Sequence, residues 1–355
     1  MEHYRRTKAV IDLGAIRRNT RRIIEKYPLY RYYMAVVKAD CYGYRGNRVV
    51  QAMLDGGANC LAASLLEEGL ALREQFPEIP VLLFTPLSGE ELRICAERKI
   101  WVTVANLTQA QEAARIPGLG TFIRANGGSD IFGGPTDREG FEAIWNTVKA
   151  GQGKLTGVYL HSYNAEDEGD TMAEYATFEA MTADVDLSEL ELVSITNSLT
   201  FPRYGKKPYA NACRLGNIIY SIESEDADLE PTFRLVSQVL TVFDLPKGRS
   251  VAYSRAYTAA EDGERIAAVP IGFGDGFSKT NIGRDVFIHG RRYPIVAVTM
   301  DIIHIKVDDT VCAGDEVELI RNNHHLDEVS AHIHGATEEP ICALNTPVYR
   351  EYIEA

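Results

Sequence analysis

The 355-residue sequence has no hydrophobic run that approaches the ~18–20 residues needed to span a bilayer. Its first residues include no apolar segment followed by small residues, so we expect no secretory signal peptide. Basic side chains are the minority, because 37 lysines and arginines stand against 50 aspartates and glutamates, for a net charge of −13. Such a surface repels a phosphate backbone on average. We therefore expect neither nucleic acid nor a membrane as a partner.

Cysteine is also scarce and scattered. The six cysteines form no C-x-x-C pair, and they are Cys41, Cys60, Cys95, Cys213, Cys312 and Cys342. This distribution is typical of free thiols in a reducing compartment, which predicts a cytoplasmic protein. The chain is 45% hydrophobic and 25% charged, which excludes collagen-like and largely disordered classes.

The first two thirds of the chain alternate short β-branched runs with segments of helical periodicity. The predicted strands are Tyr33–Val37, Cys60–Ala63, Val81–Phe84, Trp101–Val104, Gly120–Ile123, Leu155–Leu160, Leu192–Ile195 and Ala212–Leu215. Eight strands separated by helices predict an α/β fold, a closed (β/α)8 barrel, with an open doubly wound sheet as the alternative.

The pattern changes near Phe233, after which short strands alternate with glycine-containing turns. These strands include Leu235–Phe243 and Ser250–Tyr257. The sequence therefore predicts a barrel domain over residues 1–232 and a C-terminal β-domain over residues 233–355.

Polar residues at the ends of the predicted barrel strands are the candidates for chemistry, since active sites of such barrels lie there. Lys38 ends the first strand, where burial would favour a reactive Schiff-base amine, although a lysine leaving the barrel rim fits the same position. Ser198 and Gly216-Asn217 follow the last two strands and fit a phosphate cradle, although they are also ordinary turn residues. An amine for an aldehyde and a cradle for a phosphate together suggest pyridoxal 5'-phosphate.

The segment from Ala35 to Tyr44, AVVKADCYGY, resembles the cofactor-lysine signature of alanine racemases. Further matches follow in order along the chain: His161, Asn197-Ser198, Arg214-x-Gly216, Tyr253, Gly272–Phe277 and Val298–Asp301. The resemblance implies a pyridoxal-phosphate racemase made of a barrel and a β-domain, which acts as a head-to-tail homodimer.

The resemblance also implies roles for individual residues. Lys38 would hold the cofactor covalently and act as the base on one face of the substrate Cα, with Tyr253 of the other subunit on the opposite face. Arg214 would face the pyridine nitrogen of the cofactor. His161 would lie between Arg214 and Tyr253 and bridge these two side chains. The cofactor-binding candidates are Lys38, Tyr42, His161, Asn197, Ser198, Arg214, Gly216 and Asn217, and the substrate-binding candidates are Ile131, Phe273, Met300, Asp301 and Thr346.

Several of these positions depart from the family pattern. The arginine that contacts the substrate carboxylate in the family falls on Ile131, or on Asp130 after a one-residue slip, and the family lysine seven residues before it is Arg124. Phe273 replaces a tyrosine, and Thr346 replaces the tyrosine that caps the phosphate and narrows the entrance. These changes predict a weaker grip on an α-carboxylate and a wider pocket, so we hypothesise that alanine is not the best substrate.

The sequence thus favours an amino-acid racemase that takes a proton from Cα and returns it with a lysine–tyrosine pair. Two alternatives stay open: another Cα reaction on the same scaffold (decarboxylation, aldol cleavage or substitution), or a non-catalytic pyridoxal-phosphate-binding protein. The pair His332 and His334 would share one face of a strand and could ligate zinc. No suitably spaced third ligand is evident, so we expect no metal site.

Overall fold

The computed structural model describes residues 4–128, 130–222, 226 and 228–355. The chain divides into two compact units, one formed by residues 20–41 and 46–219 and the other by residues 1–19, 42–45 and 220–355. We call them the barrel unit and the β-unit. The predicted boundary between residues 232 and 233 stays a prediction, but this grouping places the N-terminal residues with the C-terminal ones.

The strands are numbered in chain order: β1 (Lys8–Asp12), β2 (Tyr32–Val36), β3 (Cys60–Ala63), β4 (Val81–Leu83), β5 (Trp101–Val104), β6 (Gly120–Ala125), β7 (Lys154–Leu160), β8 (Leu192–Ser194), β9 (Ala212–Leu215), β10 (Phe233–Gln238), β11 (Thr241–Leu245), β12 (Ser250–Val251), β13 (Tyr257–Thr258), β14 (Glu264–Val269), β15 (Asp285–Ile288), β16 (Arg291–Val298), β17 (Ile303–Val307), β18 (Glu316–Ile320) and β19 (Tyr349–Ile353). The helices are Leu13–Lys26, Asn47–Asp55, Leu66–Gln75, Glu90–Glu97, Leu107–Ala113, Arg138–Lys149, Glu168–Met181, Thr200–Tyr204, Leu326–Ile333 and Glu339–Cys342.

The barrel unit contains eight parallel strands in the order β8-β7-β6-β5-β4-β3-β2-β9. A parallel bridge between Thr196 and Cys213 joins the two outer strands, so the sheet is nearly closed. The predicted (β/α)8 barrel is confirmed, and the open-sheet alternative is not needed. Alternate residues of each strand, such as Tyr32 and Met34 of β2, fill the interior, as the two-residue period of a strand requires.

Helix ends in the barrel unit follow local sequence signals. Asp137 accepts a hydrogen bond from the Gly140 amide at 2.8 Å and caps the helix Arg138–Lys149. Phe141, Ile144 and Val148 of this helix are buried, at the spacing of one helical face. Of the helices in the described ranges, none is long and apolar enough to cross a membrane.

The β-unit is built on a sheet in the order β11-β14-β17-β16-β15-β18-β10-β1-β19. The first strand, β1, runs antiparallel to β10 and parallel to β19, so the start and the end of the chain share this sheet. Two strand predictions are wrong in detail. Residues 235–243 form parts of two strands, β10 and β11, and residues 250–257 are interrupted by a turn between β12 and β13.

Candidate active site

Lys38 directly follows β2, at the carboxyl end of a barrel strand. The strand before it is buried, but the Lys38 side chain itself is exposed, as in the alternative of a lysine that leaves the barrel rim rather than a buried amine. The chain then makes a left-handed turn, because Ala39, Asp40, Cys41 and Tyr42 all have φ between 50° and 57°. This turn is energetically unfavourable for L-residues.

His161 and Arg214 form a hydrogen-bonded pair at the same end of the barrel. Arg214 lies in β9 and His161 follows β7, and the distance from Arg214 Nη2 to His161 Nδ1 is 3.2 Å. Arg214 is only 3% exposed, and its Nη nitrogens also donate to the Leu160 carbonyl at 2.7 Å and to Ser194. Among the residues that the structure describes, none accepts a hydrogen bond from Arg214 Nε.

Cations surround the His161 imidazole. Burial, and then the positive charges of Arg214, Lys38 and Arg124, together lower the pKa of His161 to about 3. Burial also lowers the pKa of Arg214, to about 10, which still leaves the guanidinium protonated at neutral pH. His161 is therefore a neutral imidazole among three cationic side chains, a suitable place for an anionic ligand.

The loops after β8 and β9 meet through Ser198 and Gly216. The Gly216 amide donates to Ser198 Oγ at 2.8 Å, so a hydroxyl and a backbone amide lie side by side, with Asn217 as the next residue. Asn197 has a local structural role: its Oδ1 accepts hydrogen bonds from the Leu199 and Thr200 amides at 3.0 and 3.1 Å. It thereby shapes the loop that carries Ser198.

The end of β6 and the loop after it carry two of the departures from the family pattern, at residues 124 and 131. Arg124 is 2% exposed near the end of β6, and its Nη1 donates to the Gly133 carbonyl. Asn126 contacts both Asp130, through Nδ2, and the Gly128 amide, through Oδ1 at 2.9 Å. Ile131 lies at the outside of this loop and is 64% exposed. The described part of the loop thus places a buried arginine at its base and an apolar residue at its tip.

In the β-unit, Tyr253 lies in the turn between β12 and β13. It is 83% exposed, which is unusual for an aromatic side chain. Its neighbours Ala252, Ser254 and Arg255 have φ of 59°, 55° and 53°, so left-handed backbone lies on both sides of it. Strained backbone that presents an exposed tyrosine is more typical of a functional position than of a packed strand.

Phe273, Met300 and Asp301 lie near each other in the β-unit. The amides of Phe273 and Gly274 donate to the carbonyls of Thr299 and Met300 at 3.0 and 2.9 Å. The side chains of Phe273 and Met300 are 40% and 55% exposed, and Asp301 is exposed as well. These residues form an outward-facing surface.

Thr346 contacts an arginine that the sequence analysis did not assign. Arg45 Nη1 donates to Thr346 Oγ1 at 2.9 Å, and Arg45 Nη2 donates to the Leu344 carbonyl at the same distance. Arg45 has φ of 66°, and it ends the segment that begins with Tyr42, whose ring packs on Tyr220. A contact over 301 positions of sequence leaves no local pattern, so reading the sequence alone did not find Arg45.

The comparison of this sequence with models of known protein families is decisive. The N-terminal domain of alanine racemase matches residues 11–224, and its C-terminal domain matches residues 232–352. Together they cover nearly the whole chain. The protein belongs to the alanine racemase family.

Individual family members agree with this assignment. The chain is 30% identical to alanine racemase 1 of Bacillus subtilis, over 99% of this chain and 94% of that one. A solved alanine racemase of Bacillus anthracis with bound L-Ala-P is 27% identical and superposes with a TM-score of 0.90, covering 99% and 96% of the two chains. A histidine racemase of Leuconostoc mesenteroides, 21% identical over 99% of both chains, shares the fold with a TM-score of 0.86.

The alanine racemase signatures are thus distributed over both units. The barrel unit brings together Lys38, His161, Arg214 and the Ser198–Gly216 pair at the carboxyl ends of its strands. Tyr253, Phe273, Met300, Asp301 and Thr346 belong to the β-unit, whereas Ile131 belongs to the barrel unit and is exposed, unlike the buried Arg124. The cofactor candidates are thus carried mainly by the barrel unit and the substrate candidates mainly by the β-unit.

The structure corrects the prediction that His332 and His334 lie on one face of a strand. His332 lies in the helix Leu326–Ile333, and His334 follows it as a left-handed cap with φ of 58°, so the strand that we predicted there is wrong. His332 Nε2 lies 3.1 Å from the Ile282 carbonyl. The described residues contain no group of three or more histidine, cysteine, aspartate or glutamate side chains arranged for a metal ion.

Proposed function

We propose that this protein is a pyridoxal-phosphate-dependent amino-acid racemase. The observation that carries the proposal is the grouping of Lys38, His161 and Arg214 at the carboxyl end of the barrel, beside the Ser198–Gly216 pair. The proposed reaction removes the proton from the substrate Cα on one face and returns it on the other.

The residues fit the cofactor. The Ser198 hydroxyl, whose oxygen is positioned by the Gly216 amide, would donate to its phosphate, with the backbone of Asn217 beside it, because hydroxyl and amide groups are the donors that bind phosphate. The part of Tyr42 in holding the phosphate stays a prediction. Arg214 Nε would face the pyridine nitrogen, since the contacts that fix this guanidinium use its Nη nitrogens. When bound, pyridoxal phosphate supplies the electron sink for the Cα–H bond.

The two proposed bases are Lys38 and Tyr253. The Lys38 amine would take or return the proton on one face of Cα, and the Tyr253 hydroxyl on the opposite face. His161 would hold Tyr253 by a hydrogen bond and would itself stay neutral, because its burial and the cations near it disfavour its protonation. Arg214 can only donate, so His161 Nδ1 is the acceptor nitrogen, and the hydrogen on Nε2 of the neutral ring would be donated to the Tyr253 oxygen.

A homodimer would complete this site. Tyr253 and Met300 are exposed on the β-unit, where a second copy of the chain would receive them. The Met300 backbone would then meet the substrate carboxylate, near Phe273 and Asp301. We place the enzyme in the cytoplasm, where its six free thiols would stay reduced.

The carboxylate anchor is proposed to be Arg124. It is buried at the base of the loop whose tip is Ile131, and its charge acts on His161 together with those of Lys38 and Arg214. A guanidinium so placed matches a carboxylate better than the apolar Ile131 does. Because the anchor then starts from a different strand position, and Thr346 replaces a tyrosine, the preferred substrate would be an α-amino acid other than alanine.

The experiment is a screen of L-amino acids in heavy water with the purified protein. Deuterium at Cα together with D-product supports a racemase, while loss of carbon dioxide or of a side-chain fragment supports the alternative Cα chemistry. Borohydride reduction followed by peptide mass analysis should place the cofactor on Lys38, and an absorbance band near ~420 nm should precede it. A protein that stays colourless with added pyridoxal phosphate and yields no Lys38 adduct would contradict the proposal.

A further inference from the structure

A separate cavity of about 130 Å³ lies within the β-unit. Its lining comes from the turn after β14, the β18 strand and the two C-terminal helices, and it includes Phe277, Arg284, Ile320, Ile333 and Glu339. The proposed reaction uses none of these residues. A cavity of ~150 Å³ can hold benzene, so this one has room for a ligand of about six non-hydrogen atoms.

The feature that distinguishes this cavity is a buried guanidinium. Arg284 is 2% exposed, and its Nε donates to Asn281 Oδ1 at 2.8 Å. Its Nη1 donates to the Leu319 carbonyl at 2.9 Å and to the Asp285 carbonyl at 3.1 Å, while Nη2 makes no hydrogen bond with any residue in the described ranges. The guanidinium also lies over the Phe277 ring, 5.5 Å from its centre. The arginine is therefore held in place with one nitrogen available.

A buried polar nitrogen without a partner is costly, and a carboxylate is the natural partner of a guanidinium. The other lining groups narrow the choice of ligand. Glu339 Oε2 accepts a hydrogen bond from the Ala336 amide at 3.3 Å, and the negative charge of this carboxylate would repel a simple anion and attract an ammonium. Leu235, Val329 and Ile333 supply apolar surface for a short aliphatic group. One cation, one anion and an apolar wall fit a small zwitterion.

We propose that this cavity binds a small free α-amino acid, of the size of alanine, with its carboxylate on Arg284 Nη2 and its ammonium on Glu339. The site would be a second amino-acid site, separate from the barrel. It does not depend on the proposed function, because its residues are independent of Lys38 and of the cofactor.

The test follows methyl NMR signals of the full-length protein, labelled at isoleucine δ1 methyls, during titration with L-alanine. Ile320 and Ile333 line the cavity and report binding there directly. We expect saturable shifts of both signals with alanine, and affinities at least about tenfold weaker for pyruvate, which lacks the ammonium, and for inorganic phosphate. Equal binding of pyruvate or phosphate would overturn the zwitterion assignment, and no saturable shift would overturn the site.

Variants locate the contacts. Arg284→Met should weaken alanine binding by about ten- to hundredfold, the size of a lost charged hydrogen bond. Since Arg284 also supports the fold, the exposed Glu339→Gln is the second variant, and it should weaken alanine without affecting the weak response to pyruvate. Unchanged alanine titration in Glu339→Gln and in a folded Arg284→Met would contradict the proposal. Lys38→Ala should titrate like the parent protein, so failure of the racemase proposal would leave this result intact.

Discussion

Two regions of the barrel unit differ in how well their residues agree with the alanine racemase sequence pattern. Around Arg214, the residues of the alanine racemase pattern are present, and each is fixed by hydrogen bonds: Arg214 to Leu160 and His161, and Gly216 to Ser198. Around the loop after β6, the pattern is changed, with arginine at 124 and isoleucine at 131. The first region is proposed to face the cofactor and the second the substrate. From this difference we expect the proposed cofactor chemistry to follow the family and the recognition of the amino acid to depart from it.

The largest predicted effect on activity concerns the two proposed bases, Lys38 and Tyr253. Tyr253→Phe should lower racemisation by about 10²–10⁴-fold, because it removes one of two proton-transfer groups. Its absorbance band near ~420 nm should remain, since Lys38 is intact. Chiral product analysis provides the measurement.

Mixing inactive variants tests whether Tyr253 acts across a dimer. Lys38→Ala and Tyr253→Phe chains, refolded or exchanged together, should recover about a quarter of the parent activity, because random pairing creates one complete site in about half of the dimers. Absence of recovery in verified mixed dimers would show that both bases come from the same chain.

The pH dependence of stability tests the cofactor-side region. The pKa of His161 is lowered to about 3 in the folded chain from an ordinary value of 6.5, so the unfolded chain binds a proton first as the pH falls. The free energy of unfolding should therefore decrease from about pH 6.5 towards pH 3, by up to ~1.4 kcal/mol per pH unit from this group. Urea denaturation at pH 7.0, 5.5 and 4.5 measures it. His161→Gln should show a shallower decrease, and an equally steep one would exclude His161 as the cause.

Substitutions at Arg124 and Ile131 test the region that is proposed to face the substrate. Arg124→Met should lower kcat/KM by about ten- to hundredfold, because a charged hydrogen bond to the substrate carboxylate is lost. The effect should be on kcat/KM with little change in cofactor affinity. Adding Ile131→Arg should recover part of the activity and shift it towards alanine. A matched Ile131→Leu variant serves as the control, and an Arg124→Met enzyme with unchanged kcat/KM would remove Arg124 from the substrate site.

The smallest expected effect is at the pair of Arg45 and Thr346. Arg45→Ala removes two hydrogen bonds from an incompletely buried side chain, so kcat/KM should fall by only about five- to tenfold. Thr346→Val, which removes only the hydroxyl, should cost less than Arg45→Ala. A larger loss in Thr346→Val than in Arg45→Ala would show that the hydroxyl acts on substrate rather than on Arg45.

The barrel could be predicted from the sequence because short apolar runs alternate with segments of helical periodicity. The eight predicted strands all correspond to strands of the structure, with ends shifted by a few residues. The first strand, β1, was not assigned to the β-unit, because its pairing with β10 and β19 spans most of the chain. The turn at Tyr253 was also missed, since its left-handed residues are Ala252, Ser254 and Arg255 rather than glycines.

The order of the motifs along the sequence was enough to identify Lys38, His161, Ser198 and Arg214 as site candidates. The hydrogen bonds that these and other residues form could not be predicted. Arg45 and Thr346 meet across 301 positions, and a single sequence contains no signal for such a contact. For Lys38 the sequence left two outcomes open, a buried amine or a lysine leaving the barrel rim, because the burial of a strand does not fix the path of the long side chain that follows it; the structure has the exposed one. Local chemistry could be inferred from type and order, whereas long-range contacts could not.

The left-handed turn after Lys38 has a consequence for engineering. Four consecutive L-residues in this conformation cost about 1–2 kcal/mol each, which an isolated peptide of the same sequence would avoid by adopting another shape. The direction in which Lys38 leaves β2 therefore depends on the tertiary structure that holds the turn in this conformation. Transplanting the ten-residue signature into another scaffold would therefore transfer the sequence but not the orientation of the lysine side chain.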